Sequence, residues 1–269
     1  MLKRRLIPVV LMRNGVVVQS KGFRRYQALG NPSMIVERLS AWASDELIYL
    51  DITRSGCYDL GRDDLGGVNR AELAEILRDV SRRCFMPLVF GGGIRTIADG
   101  AVRLEAGADK IVLNTQPLCD PSFINQAARE FGAQCIVVCI DARRQRPGLW
   151  EAMAGGHGAT GHDVVAWARE AEDRGAGEIL VQSVDFDGRG RGYDLPLIEA
   201  VAGAVGVPVI ALGGAGKWAH FAEGLRAGAD AVAAANLFNY TEHSVYRAKE
   251  YLGEQGFEVR APALTEVGR

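Results

Sequence analysis

Residues 87–93 read PLVFGGG and residues 208–214 read PVIALGG, while AGAD stands at 106–109 and again at 227–230. Both pairs are 121 positions apart (208 − 87 and 227 − 106). Two motifs that keep one spacing mark a duplicated structural unit, here two similar halves of one domain. Each copy begins with an apolar run too short for a helix and ends in glycine, which reads as a buried strand running into a tight turn.

Outward from these copies the same kind of run recurs: LIPVVLM (6–12), LIYLDI (47–52), KIVLNT (110–115), CIVVCIDA (135–142), EILVQSV (178–184) and AVAAANLF (231–238). With the first two that makes eight. Runs apolar on both alternations fit strands covered on both faces, as in a parallel sheet with crossover helices. Eight such units within one chain of 269 residues predict a single (β/α)8 barrel. A weaker match at an offset of 130 sets Leu11 of the first strand against Asp141 of the fifth. The connections read as helices: Asn31 before Pro32 is an N-cap and first-turn pair, followed by the stripe Ile35, Val36, Leu39 and Trp42. Leu73, Ile76, Leu77 and Val80 form a second stripe, and Val164, Val165, Ala168 and Ala171 a third. No stretch rich in Pro, Gly or Ser divides the chain, and Arg-Gly residues 188–192 read as a loop of the sixth unit.

A formal charge of −2 gives no global attraction to nucleic acid or to an anionic membrane. Five cysteines and four histidines lack metal-ligand spacing, so no metal is expected, and no organic cofactor is suggested. The basic start carries only seven apolar residues, Leu6 to Met12, and no cleavage pattern; a cytoplasmic chain is the expectation.

In such a barrel the loops after the strands converge on one mouth. Gly93 and Gly214 would bring the backbone close to a ligand and offer N–H groups at a helix start, each beside the next strand's end: Asn114 and Thr115 for the first, Ala235 and Asn236 for the second. Two related anion sites imply a ligand phosphorylated at each end; the plainer alternative is that the glycines only turn the chain. Asp141 and Asp187 would face each other as acid and base, whereas Asp51 and Asp185 read better as loop caps. Arg5, Glu46, Lys110 and Glu178 precede or begin strands and gather at the opposite, amino-terminal end, where two bases and two acids can neutralise one another. That ring is either an ionic plug or a functional opening.

The segments RLIPVV, DELIYLDIT, GGGIRT, GADKIVLNT, QCIVVCIDARR, TGHDVVAWAREAE, GAGEILVQS, DGRGRGYDLPLI, PVIALGGAGK and AKEYLGEQG resemble, over essentially the whole chain, the HisF cyclase subunit of imidazole glycerol phosphate synthase. The resemblance implies a lyase-type barrel of histidine biosynthesis that draws ammonia from a glutaminase (HisH-like) docked at its amino-terminal face. It further implies that Arg5, Glu46, Lys110 and Glu178 form an ammonia gate and that Gly93, Asn114, Thr115, Gly188, Gly214, Ala235 and Asn236 line two phosphate sites. The sequence departs from that family at the chemistry: its two catalytic aspartates map to Asp141 and to Leu11, and a leucine cannot carry a proton. Loss of a positioned acid or base costs about 100- to 10,000-fold in rate. Gln19 replaces a family lysine, with Lys21 two residues on, Asn236 a serine, and Leu212 a small polar residue. A longer loop after the second strand, at about 54–67, and the segments IPVVLMRNG and AAANLFNYTEHSVYRAKEYL resemble the paralogues associated with surface polysaccharides. Those imply a barrel serving acetamidino-sugar formation with a glutaminase and a sugar amidotransferase, on a phosphorylated or nucleotide-sugar substrate. The loop is then a partner surface or an active-site lid. Three functions follow as expectations: this amidination subunit, a true cyclase, or a scaffold without a reaction.

Overall fold

The first apolar run shows why these segments become strands. From Leu6 to Met12 every side chain but Pro8 alternates between two apolar environments: Ile7, Val9 and Leu11 pack inside the ring of strands, and Leu6, Val10 and Met12 pack under the helices. A strand covered on both sides has no solvent face to carry polar residues. The computed structural model describes residues 3–53, 73–239 and 244–261.

The barrel strands are β1 (Arg5–Arg13), β2 (Leu47–Asp51), β3 (Leu88–Gly91), β4 (Lys110–Leu113), β5 (Ile136–Arg146), β6 (Glu178–Ser183), β7 (Val209–Leu212) and β8 (Ala231–Ala234). Each pairs in parallel with its sequence neighbour, and β8 returns to β1 through Arg5 opposite Ala231, so the sheet closes. The chain is a single (β/α)8 barrel. The internal repeat appears as geometry: β3 and β7, β4 and β8, and the helices Ile97–Glu105 and Trp218–Arg226 all stand 121 residues apart.

Helix starts follow local chemistry. The Asn31 side chain accepts from Ser33 N at 2.9 Å ahead of Pro32–Ala41, and Asp163 accepts from Ala166 N at 2.9 Å ahead of Val164–Asp173. In that last helix Trp167, not Val165, takes the fourth buried place beside Val164, Ala168 and Ala171. Arriving one turn on from Val164, its ring reaches the sheet, while Val165 points along the flank.

Two antiparallel hairpins were not anticipated. Val16–Lys21 with Arg25–Gly30 extends β1, and Leu149–Ala154 with Gly158–Asp163 extends β5. They occupy corresponding places in the two halves: the helices after them are capped by Asn31 and Asp163, 132 residues apart. The excess of 132 over 121 makes the connection from β2 to β3 eleven residues longer than that from β6 to β7. The inserted loop at about 54–67 lies outside the described residues. Among those described, no helix is long and apolar enough to cross a membrane, and no cluster of His, Cys, Asp or Glu is arranged to hold a metal ion.

The last helix, Ser244–Glu254, is tied to the amino-terminal end of the barrel by Lys249, which is 1% exposed and reaches Asp45 at 2.5 Å. The other Asp45 oxygen accepts from Leu6 N at 2.9 Å. Removing one partner of a buried pair strands the other charge. Lys249→Ala is therefore expected to lower unfolding free energy by about 3–5 kcal/mol in urea titrations, and a change under 1 kcal/mol would contradict this account.

Candidate active site

At the amino-terminal end four side chains close into a ring across the barrel axis. Arg5 Nη1 lies 2.5 Å from Glu46 and 3.0 Å from Glu178, and Lys110 Nζ lies 2.8 Å from Glu46 and 3.0 Å from Glu178. Charge alternates around it. Glu46 is 2% and Glu178 8% exposed, so two buried acids meet two bases here in place of water. Burial works against the Arg5 charge, but the Glu46 and Glu178 carboxylates outweigh it and hold the guanidinium above its ordinary value. One oxygen, Glu178 Oε2, is buried with no hydrogen-bond partner. Above the ring the interior is apolar, and β8 offers it only Ala231 and Ala233.

At the opposite end the strand termini enclose two cavities. One, of about 420 Å³, brings together Gly93, Asn114, Thr115 and Asp141. The other, of about 360 Å³, brings together Asp187, Gly188, Gly214, Ala235 and Asn236. Leu11, Ser20 and Gln182 line both and so form the wall between them. Asp141 lines the first cavity and Asp187 the second, with these three residues common to both. Register supports the pairing of Leu11 with Asp141. Leu11 stands opposite Leu50, four residues after Glu46, and Asp141 stands opposite Gln182, four residues after Glu178.

Gly93 lines the first cavity and Gly214 the second. At Gly214, where φ is 104°, a Cβ would lie 2.0 Å from the Gly192 carbonyl oxygen, so the bare position admits neighbouring backbone. Gly188 likewise lets Ser20 approach. Beyond Gly93, at φ 64°, the helix start is already capped: Asp99 accepts from both Arg95 N (3.0 Å) and Thr96 N (2.8 Å). Only the turn itself remains to present amides to the cavity. In the second half His220 takes the place of Asp99, its Nδ1 accepting from Gly216 N at 3.1 Å.

Asp141 is 4% exposed. Burial pushes its carboxyl up to about 7, and the Asp187 charge adds to the rise, against opposing hydrogen bonds from Cys139, Asn114 and the Gly156 backbone. Asn114 Nδ2 is 3.3 Å from Asp141 Oδ2, and its Oδ1 accepts from Gly155 N at 3.0 Å, so one amide links strand, carboxyl and hairpin. Asp187 is also raised by burial, opposed by donors from Ser20 Oγ (3.0 Å) and Phe23 N (3.2 Å). Asp51 accepts from Thr53 N at 2.9 Å and Asp185 from Arg144 N at 2.8 Å, the loop-capping arrangement. A carboxyl that holds its proton near neutrality can both donate and accept one.

The sequence profile of the histidine biosynthesis proteins matches residues 5–244. The chain belongs to this family. Within the histidine biosynthesis fold, three mouth residues carry weight that the sequence did not assign. Ser20 holds Asp187, Gln182 is the polar part of the dividing wall, and Cys139 donates toward Asp141 from 3.7 Å. The inward alternation along β5 and β6 places Cys139 and Gln182, but Ser20 depends on the unforeseen hairpin. Asn236 adds a further feature: its Nδ2 donates to Ser20 O at 2.8 Å, leaving Oδ1 buried without a donor.

The raised Asp141 carboxyl has a sign that can be checked. The folded chain keeps a proton that an unfolded aspartate releases near ~3.9. The resulting stability is fully present below about pH 4 and lost as pH rises through about 7. Infrared difference spectra between pH 5 and pH 9 are expected to show a protonated carboxyl that titrates near 7 and vanishes in Asp141→Asn. Full ionisation already at pH 5 would contradict the assignment.

Proposed function

We propose that this chain is a HisF-like, ammonia-handling barrel subunit, of the kind that serves acetamidino-sugar formation rather than histidine synthesis. A glutaminase docks at the amino-terminal face, and ammonia passes the Arg5, Glu46, Lys110 and Glu178 ring into the apolar interior. What travels is neutral ammonia, since an unpaired ammonium ion in that interior carries a large desolvation cost. At the mouth, Gly93, Asn114 and Thr115 hold one anionic end of a phosphorylated or nucleotide-sugar ligand, and Gly188, Gly214, Ala235 and Asn236 hold the other. A sugar amidotransferase completes the reaction.

The observation that carries this reading is Leu11. It occupies the counterpart of Asp141 and stands 8% exposed where the two cavities meet, while all four residues of the ring are present. A cyclase needs a proton carrier on each side of its substrate, and this wall offers a hydrocarbon.

A second reading, the cyclase subunit of imidazole glycerol phosphate synthase, draws on the Asp141 carboxyl held near neutrality, with Asp187 as its partner. A scaffold without a ligand is disfavoured by the same residue, because a desolvated carboxyl lowers stability at neutral pH and needs a use.

Introduced into a histidine auxotroph lacking its own cyclase, the wild-type gene is expected not to restore growth, and Leu11→Asp to restore it in part. Growth at the normal rate from the wild-type chain would reject the amidination reading. With the glutaminase bound, Lys110→Ala is expected to let glutamine hydrolysis continue while ammonia use falls about tenfold or more, a loss of at least ~1.4 kcal/mol in coupling. Unchanged coupling would remove the passage.

A further inference from the structure

Beside the second cavity lies a third, of about 360 Å³, that none of the expected site residues except Asp187 enters. Five of its nine lining residues are cationic: Lys21, Arg24 and Arg25 from the first hairpin, Arg143 from β5, and Arg189 from the loop after β6. Lys21, Arg24, Arg25 and Arg189 make no ion pair among the described residues, and Arg143 donates only to the Gly156 carbonyl, at 3.0 Å. Its two carboxylates, Asp185 and Asp187, each commit one oxygen to neighbouring donors, Arg144 N for the first and Ser20 Oγ with Phe23 N for the second, and leave the cations in excess by three. Composition does not account for the cluster, since Asp and Glu outnumber Lys and Arg by 33 to 31. Like charges gathered in one concavity repel, and an anion relieves that repulsion.

The backbone fixes the cluster in place. Gly22 N donates to Asp187 O at 3.2 Å, Asn236 Nδ2 to Ser20 O at 2.8 Å, and the missing Gly188 side chain lets the loop lie against Ser20 and Lys21. The basic pocket also shares Lys21, Asp187 and Arg189 with the Gly214 cavity. An anion in one is therefore next to an anion in the other, across a common lip.

We propose that this pocket is an anion subsite for the second phosphate of a diphosphate ester whose first phosphate occupies the Gly214 cavity. The inference deepens the proposed function and rests on that cavity being an anion site. It narrows the ligand from any molecule phosphorylated at both ends to one with two adjacent phosphates. Arginine forks suit this task because each can engage two phosphate oxygens at once.

Titration calorimetry of the full chain with inorganic pyrophosphate and with orthophosphate tests it. Pyrophosphate is expected to bind at least ~10-fold tighter, about 1.4 kcal/mol. In the double variant Arg24→Ala, Arg25→Ala that advantage is expected to disappear; both side chains are exposed, and an unchanged unfolding midpoint checks the fold. Removing the same charge elsewhere, by Arg82→Ala with Arg129→Ala, is expected to leave pyrophosphate binding unaltered. Equal affinities for the two anions, a double variant that binds pyrophosphate like wild type, or an equal loss in the charge control would each overturn the proposal. Ala235→Leu, which adds bulk to the Gly214 cavity, separates the two claims. If it spares orthophosphate while the arginine variant still weakens pyrophosphate, the basic subsite stands and the glycine cavity reading falls.

Discussion

The four-charge ring at the amino-terminal end is the constraint on which the two-ended character of the molecule depends. Closing eight strands around one axis removes Glu46 and Glu178 from water, and each buried ion carries a penalty of several kcal/mol unless it is paired. Arg5 and Lys110 supply that pairing from strands β1 and β4, each touching both carboxylates. The two acids are related by the duplication, being 132 residues apart, whereas the bases are not. An apolar residue at any of these four positions would leave a stranded charge, so the ring constrains the chain as a unit.

At the other end the two halves diverged within a shared plan. Both carry a strand-extending hairpin, a glycine turn, and a side chain that captures the amide after the turn, Asp99 in one half and His220 in the other. The divergence is sharpest at the ends of β1 and β5. There Leu11 and Asp141 hold equivalent positions, and only one can titrate. Burial that in the Asp141 half shifts a carboxyl toward neutral pH does nothing more at Leu11 than complete an apolar contact. The mouth is thereby asymmetric in proton chemistry while nearly symmetric in its glycine turns.

Much of this was legible from residues alone, because barrel strands buried on both faces write long apolar runs and because the 121-residue repeat fixed their phase. The ring was legible from position, four charges each at a strand's beginning. The hairpins were harder to read. Asn14-Gly15, both at positive φ, is a sequence signal for a tight hairpin, but VVVQSK is apolar only in its first half and RYQALG buries none of its residues, so neither writes a regular alternation. The roles of Ser20 and the basic pocket depend on that fold-back, which brings residues 20–25 against 184–189. Which residues line each cavity was likewise unreadable in part, since Ser20 and Lys21 arrive only through the hairpin.

The claim that the two ends form one device is tested most directly by following a nitrogen atom. Supply this chain, together with the glutaminase proposed to dock on it, with glutamine labelled with nitrogen-15 at the amide, in a large excess of unlabelled ammonium, and read the isotope in the aminated product. The account predicts a product labelled from glutamine, because ammonia released beneath the ring reaches the mouth without mixing with solvent. A product carrying the isotope ratio of the bulk ammonium would contradict it.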